Sequence, residues 1–394
     1  MARGGRLLIP ALGIAQIVSW GTLYYSVAVL AKDVRGELGV SASFLFGAYT
    51  AALIASAVLA PTAGRLVDRY GGRLVMSAGS VLGAGAMFAL AASKGPATLV
   101  AGYILCGIAM SFTLYEPGFA TLHRLRPETY RRAVTLLTLY GGFASTVFWP
   151  TGSALNAWAG WRSTFVCYGL LHLLICLPLH RLAIPPEDPS VPPDRAAAST
   201  HDQTKPTTAS FYWLAAAFAF ASMIFGSLSA HIIELLTARG MTLKEAVAIG
   251  ACIGPMQVTG RVLEFAVARH TRPLHIGVLA FGLLGCGMVL LASAGSAFGL
   301  GVAFAMVYGM GNGIFTIVRA VAPAEILGSV GLGSLLGRLA RVHLPAVALS
   351  PVAFALLRDA GFSQTALILG LGVLACAAGA CFLMAATRAG APVH

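Results

Sequence analysis

Charged residues are scarce in this sequence. Only 10% of its 394 residues are Asp, Glu, Lys or Arg, whereas 58% are hydrophobic and the mean hydropathy is +0.82. A water-soluble core cannot cover so much apolar sequence, so the composition excludes a soluble globular protein. The chain is expected to be an integral membrane protein. Because a helix needs about 20 apolar residues to cross a bilayer, there is room for a dozen spans.

The sequence also lacks the usual motifs of catalysis. It contains no His-Glu-x-x-His zinc motif, no Gly-x-Ser-x-Gly nucleophile motif, no intramembrane Asp pair and no nucleotide-binding loop. These absences argue against a membrane-embedded enzyme and exclude built-in ATP hydrolysis. A substrate sensor is a further alternative, but no soluble signalling domain is attached. We therefore predict no enzymatic activity and no cofactor.

Paired cysteines are missing as well. All the cysteines fall inside apolar segments, and no two form a Cys-x-x-Cys pair. This pattern indicates small buried hydrophobic residues and no resident metal, although a thiolate site for a soft metal or metalloid ion is the alternative. The seven are Cys106, Cys167, Cys176, Cys252, Cys286, Cys376 and Cys381.

Twelve apolar segments are long enough to cross a bilayer, and we number them spans one to twelve in chain order. Between spans six and seven, residues 184–210 are rich in Pro, Asp, Ser and Thr, which predicts a polar cytoplasmic linker between units 1–183 and 211–394. The predicted spans are 7–31, 42–62, 74–93, 97–121, 133–155, 162–182, 211–233, 245–267, 274–294, 297–321, 332–357 and 362–386.

The basic residues set the orientation. With these spans, eighteen Lys and Arg lie on one side of the membrane, seven lie on the other, and Arg319 lies inside a span. Short cytoplasmic loops collect basic residues, so the richer side is predicted to be cytoplasmic, with both termini there and the first span uncleaved. The formal net charge of +12 then reflects orientation in the inner (plasma) membrane, and no nucleic-acid partner is expected.

A charged hairpin connects spans two and three. Its sequence, Gly-Arg-Leu-Val-Asp-Arg-Tyr-Gly-Gly-Arg, resembles the signature of the major facilitator superfamily (MFS), although Gly72 stands where a second basic residue is common. We expect Gly71 to permit the tight turn, Gly64 to allow close helix approach, and Asp68 to accept hydrogen bonds. The matching positions are Gly64, Leu66, Asp68, Arg69, Gly71 and Arg73.

The resemblance implies an all-α fold with two pseudo-symmetric six-helix bundles around a central cavity. It also implies secondary transport by alternating access, with the hairpin as a gating latch. An ordinary positively charged cytoplasmic loop is the alternative interpretation of the hairpin. Part of the pattern recurs 196 residues later, as Gly260, Arg261, Glu264 and Arg269, which supports an internal repeat.

Two ionisable residues lie inside spans that the resemblance places around the cavity. Glu116 in span four follows a Phe-Thr pair, and Arg319 in span ten follows a second Phe-Thr pair at the same distance. A charge at membrane depth costs several kcal/mol unless it is paired or faces water. We therefore expect both to line the cavity or to contact each other, the alternative being a structural pair between the bundles.

The other candidates are polar or aromatic residues within spans. Trp20 and Tyr24 share a helix face suited to stacking on a bound molecule, although Tyr24 and Tyr25 also suit the membrane interface. His231 and Glu234 are spaced to touch, either as a proton-coupling pair or as a rim contact. The candidates for substrate binding are Trp20, Tyr24, Tyr25, Tyr115, Asn312 and Arg319, and those for proton coupling are Glu116, His231 and Glu234.

These observations predict a monomeric secondary transporter in the lipid bilayer, whose partners are a small-molecule substrate and protons or a counter-substrate. A fixed Arg319 and a titratable Glu116 favour a small organic anion as the substrate. The alternative is proton-coupled export of a drug or toxic compound, including a metalloid, with aromatic side chains supplying the contact area. The sequence does not choose between import and export.

Overall fold

The computed structural model describes residues 4–186, 208–267, 273–327 and 332–388, and these residues form helices and connections without a β-strand among them. The chain divides into two compact units, Met1–Ala197 and Ala198–His394. Most of the predicted linker, residues 187–207, lies outside the described part. Eleven described runs are long and apolar enough to span a membrane, and one of them holds both predicted spans five and six, which are separated by a non-helical turn at Gly160.

The first unit contains several interrupted helices. Span one changes to a π-helical turn at Trp20–Tyr24 and breaks at Tyr25, whereas span four breaks at Leu114. The elements are Gly4–Ser19, Trp20–Tyr24 (π), Ser26–Leu38, Ala42–Tyr70, Gly72–Ala91, Pro96–Thr113, Tyr115–Leu125, Pro127–Thr129 (3₁₀), Tyr130–Gly142, Ala144–Leu171, His172–Cys176 (π) and Leu177–Ala183.

The second unit is built from longer, continuous helices. Proline residues occur inside three of them without ending the helix, as Pro323 shows in span ten. The described helices are Thr208–Ala238, Leu243–Val267, Pro273–Ser293, Phe298–Leu327, Leu332–Asp359 and Gln364–Arg388.

The two units repeat one packing pattern. In the first, spans two and three pack on span four, span three packs on span six, and span one packs on spans five and six. In the second, spans eight and nine pack on span ten, span nine packs on span twelve, and span seven packs on spans eleven and twelve. Each pair in one unit thus has its counterpart six spans later in the other, as an internal repeat requires.

Glycines permit the closest of these helix crossings. A Cβ atom on Gly107 in span four would collide with the carbonyl oxygen of Ala52 in span two. The corresponding crossing in the second unit brings Gly313 in span ten against the Gln257 carbonyl oxygen in span eight. Small residues allow membrane helices to approach at backbone distance, so the sequence fixes the same crossing in each unit.

Candidate functional site

The break in span four follows from a single proline. Pro117 has no N–H group to donate to the carbonyl oxygen of Thr113 four residues earlier, and its ring obstructs a continuous helix. The backbone at Leu114 is extended, with φ −78° and ψ −154°, and a new helix begins at Tyr115. As a result, Glu116 lies in the first turn of Tyr115–Leu125, where its side chain is exposed.

Gln16 of span one satisfies the backbone groups that the break leaves behind. Its Nε2 atom donates to the carbonyl oxygen of Thr113 at 2.7 Å and to that of Leu114 at 3.1 Å. The Gln16 side chain is fully buried, and its Oε1 atom has no hydrogen-bond partner among the described residues. Span one is therefore tied to span four at the point where span four changes direction.

The π-helical turn of span one carries the centre of an aromatic cluster. The ring centroid of Trp20 lies 5.0 Å from that of Tyr24 and 5.0 Å from that of Tyr115, and Tyr24 and Tyr25 lie 5.1 Å apart. Single π-helical turns are frequent at functional sites. The aromatic cluster consists of Trp20, Tyr24, Tyr25, Tyr49, Tyr103, Tyr115, Phe119 and Trp149.

Two hydrogen bonds hold the tyrosines of the turn. Tyr49 donates from its hydroxyl to the Tyr24 carbonyl oxygen at 3.0 Å, and the indole of Trp149 donates to the Tyr25 carbonyl oxygen at 3.2 Å. Tyr24 and Tyr25 are only 4% and 9% exposed, so both pack inside the first unit as members of the cluster. Their predicted role in substrate binding is a separate matter and stays a prediction.

One buried donor of the cluster is unsatisfied, as is the acceptor atom of Gln16 on the same helix. The Nε1 atom of Trp20 is buried and has no partner in the described part of the chain. Gln16 and Trp20 are one helical turn apart on the same face of span one. An unsatisfied acceptor and an unsatisfied donor therefore accompany a set of aromatic rings packed mostly edge to face, which suits a ligand with both polar and apolar groups.

In the second unit, Arg319 lies within a continuous helix. Its side chain is half-buried, and the neighbouring span eleven carries a buried histidine, His343. His343 is 8% exposed, and its Nδ1 atom has no hydrogen-bond partner among the described residues. Asn312 is 7% exposed and precedes Arg319 by two helical turns. Glu116 and Arg319 belong to different units, so their proximity stays a prediction.

His231 and Glu234 touch as their spacing predicts. The Nδ1 atom of His231 lies 3.9 Å from the Oε2 atom of Glu234, and its Nε2 atom donates to the Pro351 carbonyl oxygen at 2.9 Å. The carboxylate of Glu234 also pairs with Arg358 at 2.9 Å. These contacts join span seven to span eleven, as the rim-contact interpretation requires, and the proton-coupling role of the pair stays a prediction.

The charged hairpin turns at a glycine, as expected. Helix Ala42–Tyr70 ends at Gly71, whose φ of 80° lies in the left-handed region that favours glycine. The expected close approach at Gly64 is not found, since no described atom lies within 4 Å of the position of a Cβ on that residue. The close approach occurs instead at Gly72, where a Cβ would overlap the side chain of Thr121.

The remaining motif residues are placed as follows. Arg69 is exposed and its guanidinium lies 5.1 Å from the centroid of the Tyr70 ring, whereas the side chain of Asp68 lies outside the described part. In the second hairpin, a Cβ on Gly260 would lie 2.5 Å from the Met310 carbonyl oxygen. Four further motif residues are half-buried: Leu66, Arg73, Arg261 and Glu264. Arg269 lies outside the described residues.

Three buried histidines were not among the candidate residues predicted from the sequence. His172 and His180 lie in span six and are fully buried, and His343 lies beside Arg319. An ionisable residue inside an apolar run is itself a signal of function, and this signal was available for all three. No group of three or more His, Cys, Asp or Glu side chains in the described part is placed to hold a metal ion.

Comparisons with known proteins identify the family. The model of the Major Facilitator Superfamily matches residues 12–342. The chain belongs to the Major Facilitator Superfamily. It is a secondary transporter that spans the membrane several times, with the all-α MFS fold. None of the curated proteins compared with it matches its sequence.

Solved MFS structures resemble the chain over nearly its whole length. The nucleoside transporter NupG aligns with a TM-score of 0.74 and 14% sequence identity, covering 96% of this chain and 99% of that one. A bacterial homologue of the human lysosomal transporter Spinster, in an inward-facing and occupied conformation, aligns with a TM-score of 0.69 and 14% identity, covering 99% of this chain and 96% of that one. At this identity the likeness shows the fold alone.

Proposed function

We propose that this MFS protein carries a small organic anion across the inner membrane, coupled to proton movement. The observation that carries the proposal is Arg319, a half-buried guanidinium inside a continuous helix of the second unit. A fixed positive charge at membrane depth favours a negatively charged partner. A guanidinium can bind a carboxylate through two parallel hydrogen bonds, and this interaction strengthens away from bulk water.

The aromatic cluster of the first unit supports a substrate with an apolar or aromatic part. Its rings, which pack mostly edge to face, provide apolar contact area, and the unsatisfied Gln16 acceptor and Trp20 donor offer polar contacts beside them. We propose that Arg319 binds the substrate carboxylate and that Trp20, Tyr24, Tyr25 and Tyr115 contact the apolar part of the substrate.

Glu116 is the proposed proton carrier. It lies at the break of span four, next to the cluster residue Tyr115, and its side chain is exposed. In this proposal, an anionic substrate engages Arg319 while Glu116 takes up a proton, and the proton leaves when the substrate leaves. One charge then links the two movements. His231 and Glu234 are the next pair to test if Glu116 has no such role.

The anion site is tested with purified protein. A thermal-shift screen against carboxylates, nucleosides and cationic dyes identifies a ligand, and its affinity is then measured for Arg319→Ala and Arg319→Lys. We expect at least about tenfold weaker binding of the anion by both variants, because lysine cannot form the paired hydrogen bonds. Arg338→Ala is the matched control, since Arg338 is exposed and stacks on Phe211. Unchanged affinity in both Arg319 variants removes this residue from the site.

Proton coupling is tested in sealed proteoliposomes. Glu116→Gln should abolish accumulation driven by a pH gradient while substrate counterflow continues, because the variant cannot release a proton. Glu128→Gln, an exposed carboxylate in the connection Pro127–Thr129, is the control. If the Glu116 variant still accumulates substrate in a strictly pH-dependent way, Glu116 is structural.

Export of a lipophilic drug or toxic compound is the second candidate, and the aromatic cluster favours it. Such a compound would depend on the rings and not on Arg319, so Trp20→Ala would abolish transport while Arg319→Ala would leave much of it. A nucleoside belongs in the screen because its base is planar and because NupG is a nucleoside transporter. The cytoplasmic position of both termini and the monomeric state are further parts of the proposal, to be checked with terminal reporter fusions and by mass measurement in detergent.

A further inference from the structure

Three connections of the second unit meet around the guanidinium of Arg239. Arg239 follows the last residue of span seven, Gly295 lies in the turn between spans nine and ten, and Gln364 and Thr365 begin span twelve. These four residues line a shallow cleft of about 380 Å³. Under the proposed orientation, this end of the unit faces away from the cytoplasm.

The guanidinium of Arg239 is half-buried and lacks a carboxylate partner. Its Nη2 atom donates to the carbonyl oxygen of Ala292, and its Nη1 atom donates to Oγ1 of Thr365 at 3.4 Å. No carboxylate in the described part of the chain forms an ion pair with it. A partly buried charge without an opposite charge is costly, so this guanidinium favours a bound anion.

The first unit shows how a guanidinium in the same place is neutralised. There, Arg162 donates from Nη1 to the carbonyl oxygen of Ala91 at 2.6 Å and pairs with Glu37 at 2.9 Å. Ala292 follows Ala91 by 201 residues, so a guanidinium caps the same end of span three and of span nine. In the first unit, one arginine thus both caps the helix and meets a carboxylate.

In the second unit, these two contacts belong to different arginines. Arg239 caps the helix at Ala292. The carboxylate of Glu234 corresponds to that of Glu37, but it pairs with Arg358 at 2.9 Å. Two guanidinium groups and one carboxylate therefore stand where the first unit has one of each. The positive charge of Arg239 is the one that no described carboxylate balances.

Two neighbouring side chains add neutral donors to the cleft. The Thr365 hydroxyl accepts from Arg239, and its own hydrogen is not used in another hydrogen bond of the described part. The half-buried Gln364 likewise makes no side-chain hydrogen bond there. Hydroxyl and amide groups can donate to an oxyanion that a guanidinium holds. Gly295 has a φ of 50°, which favours glycine, so no side chain narrows the cleft at this position.

We propose that Arg239, Gln364 and Thr365 bind a small oxyanion, a carboxylate or a phosphate group. The oxygens of such a group match the planar fork of a guanidinium, whether the group belongs to a free anion or to an anionic lipid. The site is separate from the proposed transport site. Span ten begins beside the cleft at Phe298, and Arg319 lies 21 residues further along this helix, which is about 30 Å.

The melting temperature of the purified protein in detergent is the first test. Sodium phosphate and sodium acetate should raise it saturably, whereas sodium chloride at equal ionic strength should not. Measured against its own melting temperature without anion, Arg239→Ala should bind phosphate at least about tenfold more weakly. Gln364→Leu and Thr365→Val leave the cap on Ala292 in place and should each weaken binding about fivefold. Lys244→Ala is the matched control, since Lys244 is an exposed cation at the same end of the unit.

The second test identifies the source of the anion. Nanodiscs of phosphatidylglycerol are compared with nanodiscs of phosphatidylcholine, for the wild type and for Arg239→Ala. Stabilisation by the soluble anions assigns the site to a free anion, and stabilisation by phosphatidylglycerol alone assigns it to a lipid phosphate. Either result supports the site only if Arg239→Ala removes the effect.

Three outcomes overturn the proposal. They are the absence of stabilisation by soluble anions and by phosphatidylglycerol, an effect that persists in Arg239→Ala, and an effect that Lys244→Ala or Arg319→Ala abolishes. Loss of the effect in Arg319→Ala would place the anion at the proposed transport site. Conversely, if the Arg319 variants bind the transported anion normally, the proposed function fails, and the phosphate titration of Arg239→Ala still decides this site.

Discussion

Replacement of Gln16 by leucine tests the account of the break in span four. Leucine has nearly the same volume but cannot donate to Thr113, whose carbonyl oxygen then has no donor because Pro117 lacks an N–H. The Leu114 carbonyl oxygen keeps the N–H of Gly118 at 3.4 Å. One buried carbonyl is thus left unsatisfied, and the expected loss in free energy of unfolding is about 1–3 kcal/mol.

A second substitution makes the prediction specific. Pro117→Ala supplies an N–H that can close the helix onto Thr113, so in this background Gln16→Leu should cost less than about 1 kcal/mol. The coupling free energy between the two substitutions should therefore be about 1–2 kcal/mol. Pro117→Ala should also impair transport without loss of stability, because a continuous helix moves Tyr115 and Glu116 from their places.

Unfolding in mixed detergent micelles measures the four members of this cycle. Ser111→Ala is the control, since the Ser111 hydroxyl bonds to the carbonyl oxygen of Ile108 in its own helix, and its loss should be small in either background. Additive effects of Gln16→Leu and Pro117→Ala would show that Gln16 does not replace the missing helical donor. The chemical cause assigned to the break would then be wrong.

Two further predictions concern the hairpin and the cluster. Asp68→Asn should impair transport and leave folding intact, because a latch charge does not fill a core; correctly inserted variant protein with wild-type transport rates would contradict this. Trp20→Phe keeps an aromatic ring but removes the unsatisfied Nε1 donor. It should therefore weaken substrate binding, but by less than Trp20→Ala does. Titration of the purified variants measures both losses, and unchanged binding by Trp20→Phe would remove the indole N–H from the site.

The fold was predictable because its causes are local in the sequence. Apolar length gives the spans, and the hairpin at Gly71 and its partial repeat at Gly260 indicate the two halves. The family match over residues 12–342 confirms the MFS assignment. The boundary between spans five and six was predictable as well, because the gap between the predicted spans 133–155 and 162–182 contains Gly160, where the chain turns with a φ of 77°.

The candidate site was only partly predictable. In the sequence, Glu116 and Arg319 occupy corresponding positions. The residue that corresponds to Pro117 is Ala320, however, so the helix of span ten continues where that of span four breaks. A side-chain donor such as Gln16 is needed only where a break in a helix frees a carbonyl group. Span seven has no such donor at the corresponding position 197 residues later, which is Trp213. The two halves thus keep their packing and differ at the site, because one proline changes the backbone on one side alone.

The charged ends of spans one and seven repeat in a way that only the structure reveals. Arg162 pairs with Glu37 at 2.9 Å, and Arg358 pairs with Glu234 at 2.9 Å; the partners in the second pair follow those in the first by 196 and 197 residues. Arg162 follows the turn at Gly160 and Arg358 lies in the last turn of span eleven, so each pair joins the helix that continues the first span of its unit to the junction between the fifth and sixth spans. We infer that each acts as a clamp that keeps its unit rigid during transport.

The two clamps should differ in strength. The side chains of Arg358 and Glu234 are 22% and 27% exposed, whereas those of Arg162 and Glu37 are 36% and 52% exposed, so water and salt screen the first-unit pair more. Glu234→Gln should therefore lower the melting temperature more than Glu37→Gln, and its effect should change less between low and high salt. In Glu37→Gln, the side-chain oxygen can still accept a hydrogen bond from the indole of Trp161, so the substitution tests the loss of the negative charge alone. Two outcomes would contradict this reasoning: a larger drop in melting temperature for Glu37→Gln than for Glu234→Gln, or an effect of Glu234→Gln that disappears at lower salt than that of Glu37→Gln. Either would show that solvent exposure does not determine the strength of the two ion pairs, and that the pairs do not keep the units rigid.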